Sequence, residues 1–450
     1  MFWILIALVV IAPLPFGAVQ PWAWGSMGVA VGGLLLGWSA TLIVTRQPPA
    51  VAVARIWPIL LLFGIAVVWV LLQMAPFMPA GLHHPLWADA AAARGLEVGG
   101  GTVSIDPFET GSALVRLLTY GGIFWLALQY GRDRDRARIA FYALALAGLA
   151  YAAYGLIIEF SGARMILWYP KTAYGDVLTS TFVNRNSYAT YAGIGLLVTT
   201  ALLVRIVASS TGGADHRRER LLRLITAMSG HGWVLLLAWA SLATALLLTD
   251  SRGGFLATAT GLIALIGAFA ATRVIRRRHS LMLGGMTIAA SLVFFALSGG
   301  TVTERLANTD FERENRLAAY QLTLNATEDV AWMGSGYGTY QDIFRLYRDE
   351  TIPGVYDKAH NTYLELALEL GLPVSAALVL AVAIAGATCA AGIRRRRRDT
   401  VYPAVGLAVC VLAAVHSMVD FSFQIPAIGA TFAFILGISC AQSWSSGRQT

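Results

Sequence analysis

The chain is expected to be an all-α integral membrane protein of about twelve transmembrane helices, and three observations carry that expectation. Of 450 residues, 57% are hydrophobic and only 13% charged, with a mean hydropathy of +0.64; an ordinary soluble domain holds about 25% charged residues. The apolar residues fall in runs long enough to cross a bilayer, which takes about 20 residues of helix. The basic residues gather between alternate runs. A water-soluble globular fold and a disordered chain are thereby excluded. The net charge of +8 points to nucleic acid only if the cations form a binding surface. Their placement follows the spans instead, and no nucleic-acid partner is expected.

The predicted spans are 2–17, 22–45, 57–75, 112–130, 139–160, 186–207, 232–249, 255–272, 281–298, 364–391, 401–419 and 427–444. The first is short and contains Pro13 and Pro15. No Lys or Arg precedes its apolar run, so it lacks the charged start of a cleavable signal peptide and reads as a retained helix. With twelve spans both termini share one side. That side carries 21 of the 33 Lys and Arg, among them Arg132, Arg134, Arg217, Arg276 and Arg394 to Arg398, and five of the 25 acids. The nominal sums are +16 on that side and −8 on the other. This is the positive-inside pattern, so both termini are expected in the cytoplasm.

The organisation follows. Residues 1–298 hold nine helices with outer loops at 76–111 and 161–185; 299–363 form a large, partly helical outer loop; 364–450 hold three helices and a short cytoplasmic tail. Long connections without regular structure usually carry function, so the chemistry is expected to face outward. The cytoplasmic Asp133-Arg134-Asp135 triplet has a sugar-nucleotide metal pattern, but Arg132, Arg136 and Arg138 surround it and solvated charge is the plainer reading.

Within the large loop, NRLAAYQLTLNATEDVAW carries apolar residues near helical spacing, with Asn315 as a cap. It predicts an amphipathic helix on the outer membrane face. Gly334-Ser335-Gly336-Tyr337-Gly338 reads as a tight turn, since no strand precedes it as a phosphate-binding loop requires. A second short helix is predicted over 339–349, with Arg345 and Arg348. Cys389, Cys410 and Cys440 lie in apolar spans without metal-ligand spacing and imply no disulfide framework. His83 and His84 read as surface residues. Asn325-Ala326-Thr327 matches a glycosylation acceptor, a pattern common by chance.

The informative residues lie where helices meet the outside. Arg185 sits in FVNRN at the start of a span. Arg252 sits in DSRGG, the whole link between two spans. His360 sits in AHNTYLE, just before another. Arginine here runs against the positive-inside bias, and charge beside hydrocarbon is costly unless paired or used. Structural readings exist for each: an Arg252–Asp250 clamp, Arg185 as an interfacial anchor, His360 as a satisfied structural histidine. The functional reading is an anionic ligand at the outer surface. Arginine's planar fork matches phosphate oxygens in pairs, Gly253-Gly254 allow close backbone approach, and a neutral imidazole removes a hydroxyl proton near neutral pH. Diphosphate as leaving group, hydroxyl as nucleophile and histidine as base make a glycosyl or phosphoryl transfer.

FVNRNSYATY, TDSRGGFLA, the loop helix followed by GSGYGTY, AHNTYLELALELGLP and HSMVDFSFQIPA, in that order over roughly residues 100–430, resemble the O-antigen ligase and polymerase family of bacterial inner membranes. The resemblance implies a GT-C-type polytopic glycosyltransferase. Such a protein takes a glycan from undecaprenyl diphosphate on the periplasmic side. It passes the glycan to lipid A-core, to another lipid-linked glycan or to a protein hydroxyl. Carried over, Arg185 and Arg252 match the arginines that hold the lipid diphosphate, and His360 matches the proposed general base. Arg316 stands where a basic residue often opens the loop helix. His416 and Asp420 of HSMVDF either line the pocket, with Asp250, or only pair with Arg252. No metal or other cofactor is implied. The resemblance of FSFQIPA leans toward a polymerase. A lipid-linked glycan flippase is the rival from another class. Its charges would lie near mid-membrane within internal repeats, whereas Arg116, Glu159, Asp250, Glu365 and Asp420 fall toward outer helix ends.

Overall fold

The structure is a computed structural model that describes residues 1–96, 100–211, 216–275, 277–297, 302–350, 352, 356–396 and 399–444. Arg276, Arg397, Arg398 and Arg448, with Asp215, lie outside the described residues, as does the end of the ninth predicted span.

Every predicted span falls on helix. In order these are α1 (Phe2–Ile11), α2 (Pro21–Thr45), α3 (Trp57–Gln73), α4 (Leu86–Ala93), α5 (Pro107–Tyr130), α6 (Arg134–Phe160), α7 (Arg185–Thr211), α8 (Arg217–Ala227) and α9 (Trp233–Leu248). There follow α10 (Arg252–Ala271), α11 (Arg277–Leu297), α12 (Val302–Asp329), α13 (Tyr340–Tyr347), α14 (Thr362–Leu370), α15 (Leu372–Arg395), α16 (Val401–His416) and α17 (Pro426–Ala441). Among the described residues the one sheet is a two-residue ribbon, Met165–Ile166 against Tyr169–Pro170, in the 161–185 loop. Among the described residues six helices are long and apolar enough to cross a membrane: α2, α5, α6, α7, α10 and α15. Helices α1, α3, α16 and α17 are apolar but shorter. The chain is a multi-pass membrane protein.

Three predicted elements are corrected. The span 2–17 stops as a helix at Ile11, because Pro13 and Pro15 cannot continue the hydrogen-bond ladder. The span 364–391 is two helices broken at Gly371, whose φ of 75° is left-handed. An added Cβ there would stand 2.5 Å from the Trp332 carbonyl oxygen, so glycine is required, and Pro373 then starts α15 in a conformation it favours. The loop helix begins at Val302 rather than at Asn315. Asn315 therefore lies inside it and is no cap; the residues before it include three Glu and two Arg, which favour helix.

The membrane bundle packs α17 on α5, α10 on α16, α7 on α9 and α15 on α3. In lipid, helices gain by close backbone approach through small residues. Gly437 shows it: a Cβ would stand 2.4 Å from the Phe124 carbonyl oxygen on α5. Outside the bundle, α13 turns Tyr340, Ile343 and Phe344 inward against α12 and α14, each burial contributing about 1.5–3 kcal/mol. The glycine turn before α13 is structural, as read: Ser335 and Gly336 donate from their backbone nitrogens to Leu368 and Glu369 (2.9 and 3.0 Å).

The remaining expectations resolve simply. Asp133 caps α6 by accepting from the Arg136 backbone nitrogen at 2.8 Å, and Arg134 pairs with Asp399. His83 and His84 make local bonds to Met78 and Leu86. The three cysteines are free thiols.

Candidate active site

Three helices start at one place, and each starts with a side-chain cap. Asn184 Oδ1 accepts from the Asn186 nitrogen at 2.7 Å ahead of α7. Ser251 Oγ accepts from Gly254 at 3.2 Å ahead of α10. Asn361 Oδ1 accepts from Tyr363 and Leu364 at 3.0 and 3.2 Å ahead of α14. Capping asparagine and serine satisfy amides that a helix start leaves open. A chain of bonds ties these starts together. Ser251 Oγ donates to Asn186 Oδ1 (2.8 Å), and Asn186 Nδ2 donates to Asp420 Oδ2 (2.8 Å). Thr362 closes it, its backbone nitrogen donating to the Ser417 carbonyl (2.8 Å) and its hydroxyl to the Asp420 carbonyl (3.0 Å). The positive ends of three helix dipoles therefore meet around one buried carboxylate, a setting that favours negative charge.

Arg185 is the first residue of α7. Its Nη1 lies 3.5 Å from Asp250 Oδ2, and its guanidinium stands 5.6 Å from the Tyr174 ring centroid. Arg252 is the first residue of α10 and is half-buried. At Gly253 an added Cβ would stand 3.4 Å from His416 Nε2, which places that buried imidazole directly under the DSRGG link. His416 Nδ1 meets the Thr190 hydroxyl at 2.6 Å. Asp250 itself carries a φ of 50°, a left-handed strain at the turn between two arginines.

His360 also sits in the left-handed region, at φ 51°. Its Nδ1 lies 3.7 Å from Asp420 Oδ2, longer than a hydrogen bond but within ion-pairing reach, and its ring stands 5.1 Å from that of Phe421. Tyr320 of α12 donates its hydroxyl to the His360 carbonyl oxygen at 2.9 Å, so the loop helix holds the strained residue in place. Arg316 lies one helical turn before Tyr320. Burial pushes the Tyr320 hydroxyl up, the Arg316 charge pulls it down, and Asp420 pushes it up again, so both charges reach this point.

Asp420 is buried, 1% exposed. Burial alone would raise its carboxyl, but His360, His416 and the Ser422 hydroxyl together hold it below its usual range. An ionised carboxylate beside Nδ1 helps to orient the imidazole ring.

The structure thus gathers Arg185, Asp250, Arg252, His360, His416 and Asp420, with Arg316 on the helix above. The cation that Asp250 pairs with is Arg185, at 3.5 Å. Sequence reasoning missed Asn186, Ser251, Asn361 and Tyr320. The first three carry a readable signal, a capping residue at or beside a helix start.

Residues 235–379 match the family model described as O-antigen ligase. Over this segment, about a third of its length, the chain is similar to that family. The matched segment runs from α9 into α15 and contains Arg252, Arg316 and His360. Arg185, His416 and Asp420 come from outside it, and the bonds of Asn186 and Thr362 bring them to it. No curated protein matches the chain.

Proposed function

We propose that this protein is an inverting, GT-C-type glycosyltransferase of the bacterial inner membrane. It moves a glycan from undecaprenyl diphosphate to an acceptor hydroxyl on the periplasmic side. The observation that carries the proposal is the His360–Asp420 pair, fastened through Asn186 to the helix starts that bear Arg185 and Arg252. The family match supports glycan ligation or polymerisation as the class of reaction.

The chemistry runs on the chain's own residues. Arg185 and Arg252, with Arg316 nearby, hold the diphosphate and neutralise charge that grows on its oxygen as the sugar–phosphate bond breaks. A preorganised donor facing developing charge contributes about 3–4 kcal/mol. The acceptor oxygen attacks the anomeric carbon from the opposite face, so the configuration inverts. Its proton passes to His360 at Nε2, since Nδ1 faces Asp420, and Asp420 stabilises the imidazolium. The bond's electron pair leaves with the diphosphate, so no ATP is consumed. His416 and Asp250 keep the arginine turn in register from below and beside it.

Twelve membrane crossings with cytoplasmic termini belong to the same proposal, as does a lean to polymerase over ligase. Here Ser422, in the FSFQIPA segment, bonds Asp420 directly. Incubating the purified protein with undecaprenyl-diphosphate glycan, with and without lipid A-core, decides. A ladder without core and release of undecaprenyl diphosphate is the expected result. A core-dependent shift means ligase, and an intact donor means transport.

A further inference from the structure

A groove of about 840 Å³ opens between α3, α5, α15, α16 and α17. That is within the size range of small-molecule pockets, roughly 300–1,000 Å³. Most of its wall is apolar, with Phe63, Phe124, Leu378, Leu407 and Phe432 along it, which suits a hydrocarbon chain.

One end is different. Arg116, Tyr120, Tyr337 and Lys358 close it. Lys358 is engaged by Glu365 at 2.9 Å. Arg116 is not so engaged: its guanidinium stands 5.3 Å from the Trp24 ring centroid, and among the described residues no carboxylate comes within ion-pairing distance. The Tyr120 hydroxyl is buried and likewise finds no hydrogen-bond partner there. Burial of an unmatched donor is costly, so both donors suit a ligand that brings acceptor oxygens. The acids at this end do not cancel them. Asp357 is exposed. Glu369 is pushed up to about 7 by burial and by neighbouring Glu365, against the pull of Lys358, and so is only partly ionised near neutral pH.

The groove is also placed for the reaction. Thr362 and Phe421 line it, and Phe421 is the ring that packs on His360. Arg185 and Arg252 are not among its walls. If they hold the donor diphosphate, the groove serves the other substrate.

We propose that the groove holds the hydrocarbon chain of a lipid-anchored acceptor, whose phosphate is engaged by Arg116 and Tyr120 and whose hydroxyl reaches His360 past Phe421. The proposal rests on the donor assignment above, and it selects a lipid-linked acceptor over a protein hydroxyl.

The test uses the full-length protein in nanodiscs with phosphatidic acid carrying a mid-chain diazirine, and diacylglycerol with the same chain as the uncharged control. Cross-linked peptides should come from α5, α15 and α16. The charged probe should label about tenfold more than the neutral one, as expected for a charge-assisted bond. Arg116→Gln should remove that preference, Tyr120→Phe should weaken it, and Ala383→Trp, which narrows the groove, should reduce labelling by both probes. Labelling elsewhere or equal labelling by both probes overturns the proposal. The donor assignment fails separately, if Arg185→Ala and Arg252→Ala leave undecaprenyl diphosphate binding unchanged while groove labelling persists.

Discussion

Segment 358–360 presents Lys358 to a pair of buried carboxylates, Glu365 and Glu369, and His360 to a single one, Asp420, and the two sites behave in opposite ways. Asp420 is held below its usual range despite burial, because Asn186, Ser422 and two imidazoles surround it. Glu369 is pushed up to about 7 by burial and then by its neighbour Glu365, whose oxygens Lys358 and the Ala359 nitrogen already occupy. Burial is common to both. What differs is who donates, and that decides which carboxylate stays ionised beside the proposed base and which moves toward neutrality at the end of a groove.

The contrast breaks first at Asp420. Asp420→Asn removes the charge beside His360, the proposed base, and kcat should fall roughly 10²- to 10⁴-fold; an unchanged kcat on a defined lipid-linked donor would show that the pairing is only structural. Arg185→Ala and Arg252→Ala should each lower kcat roughly 10²- to 10³-fold. Arg185→Lys should recover only part, because an ammonium does not reproduce a planar two-point contact.

At Glu369 the expected effect is on stability. Its folded-state pKa lies above the ordinary 4.5, so the folded protein binds this proton more tightly than the unfolded chain. The resulting stabilisation is present in full below about pH 4.5 and is lost as pH rises through about 7. The melting temperature should fall between pH 5 and pH 8, and Glu369→Gln should flatten that fall. Asp420 has the opposite sign. Its contribution is present above the ordinary carboxylate value and disappears as pH drops through its lowered pKa. The smallest change is Ser251→Ala, which removes the α10 cap and the bond to Asn186. It should destabilise by about 1 kcal/mol and loosen Asp420, read as a raised KM for donor with the fold intact.

Much of this was legible beforehand, for physical reasons. Apolar runs in lipid announce helices because nothing else satisfies the backbone there, and every predicted span fell on helix. Arg185, Arg252 and His360 stood out because charge at an outer helix end needs a reason. The break at Gly371 was hidden, since Leu370-Gly371-Leu372 reads as one apolar run until the Trp332 carbonyl is seen against it. Asn186 and Tyr320 were hidden for another reason. Their partners lie 234 and 40 residues away, and ordinary polar residues disclose such bonds only in three dimensions. The groove end was hidden likewise: Arg116 read as one more outer charge, and only the packing of α5 against α17 and α3 shows it standing over an apolar cleft.

The central claim is that His360, held by Asp420, takes the acceptor's proton. Its direct test is turnover of the purified His360→Ala protein on a defined undecaprenyl-diphosphate glycan, followed by release of undecaprenyl diphosphate. Donor binding should persist while kcat drops by roughly 10² or more. Full turnover by that variant contradicts the account.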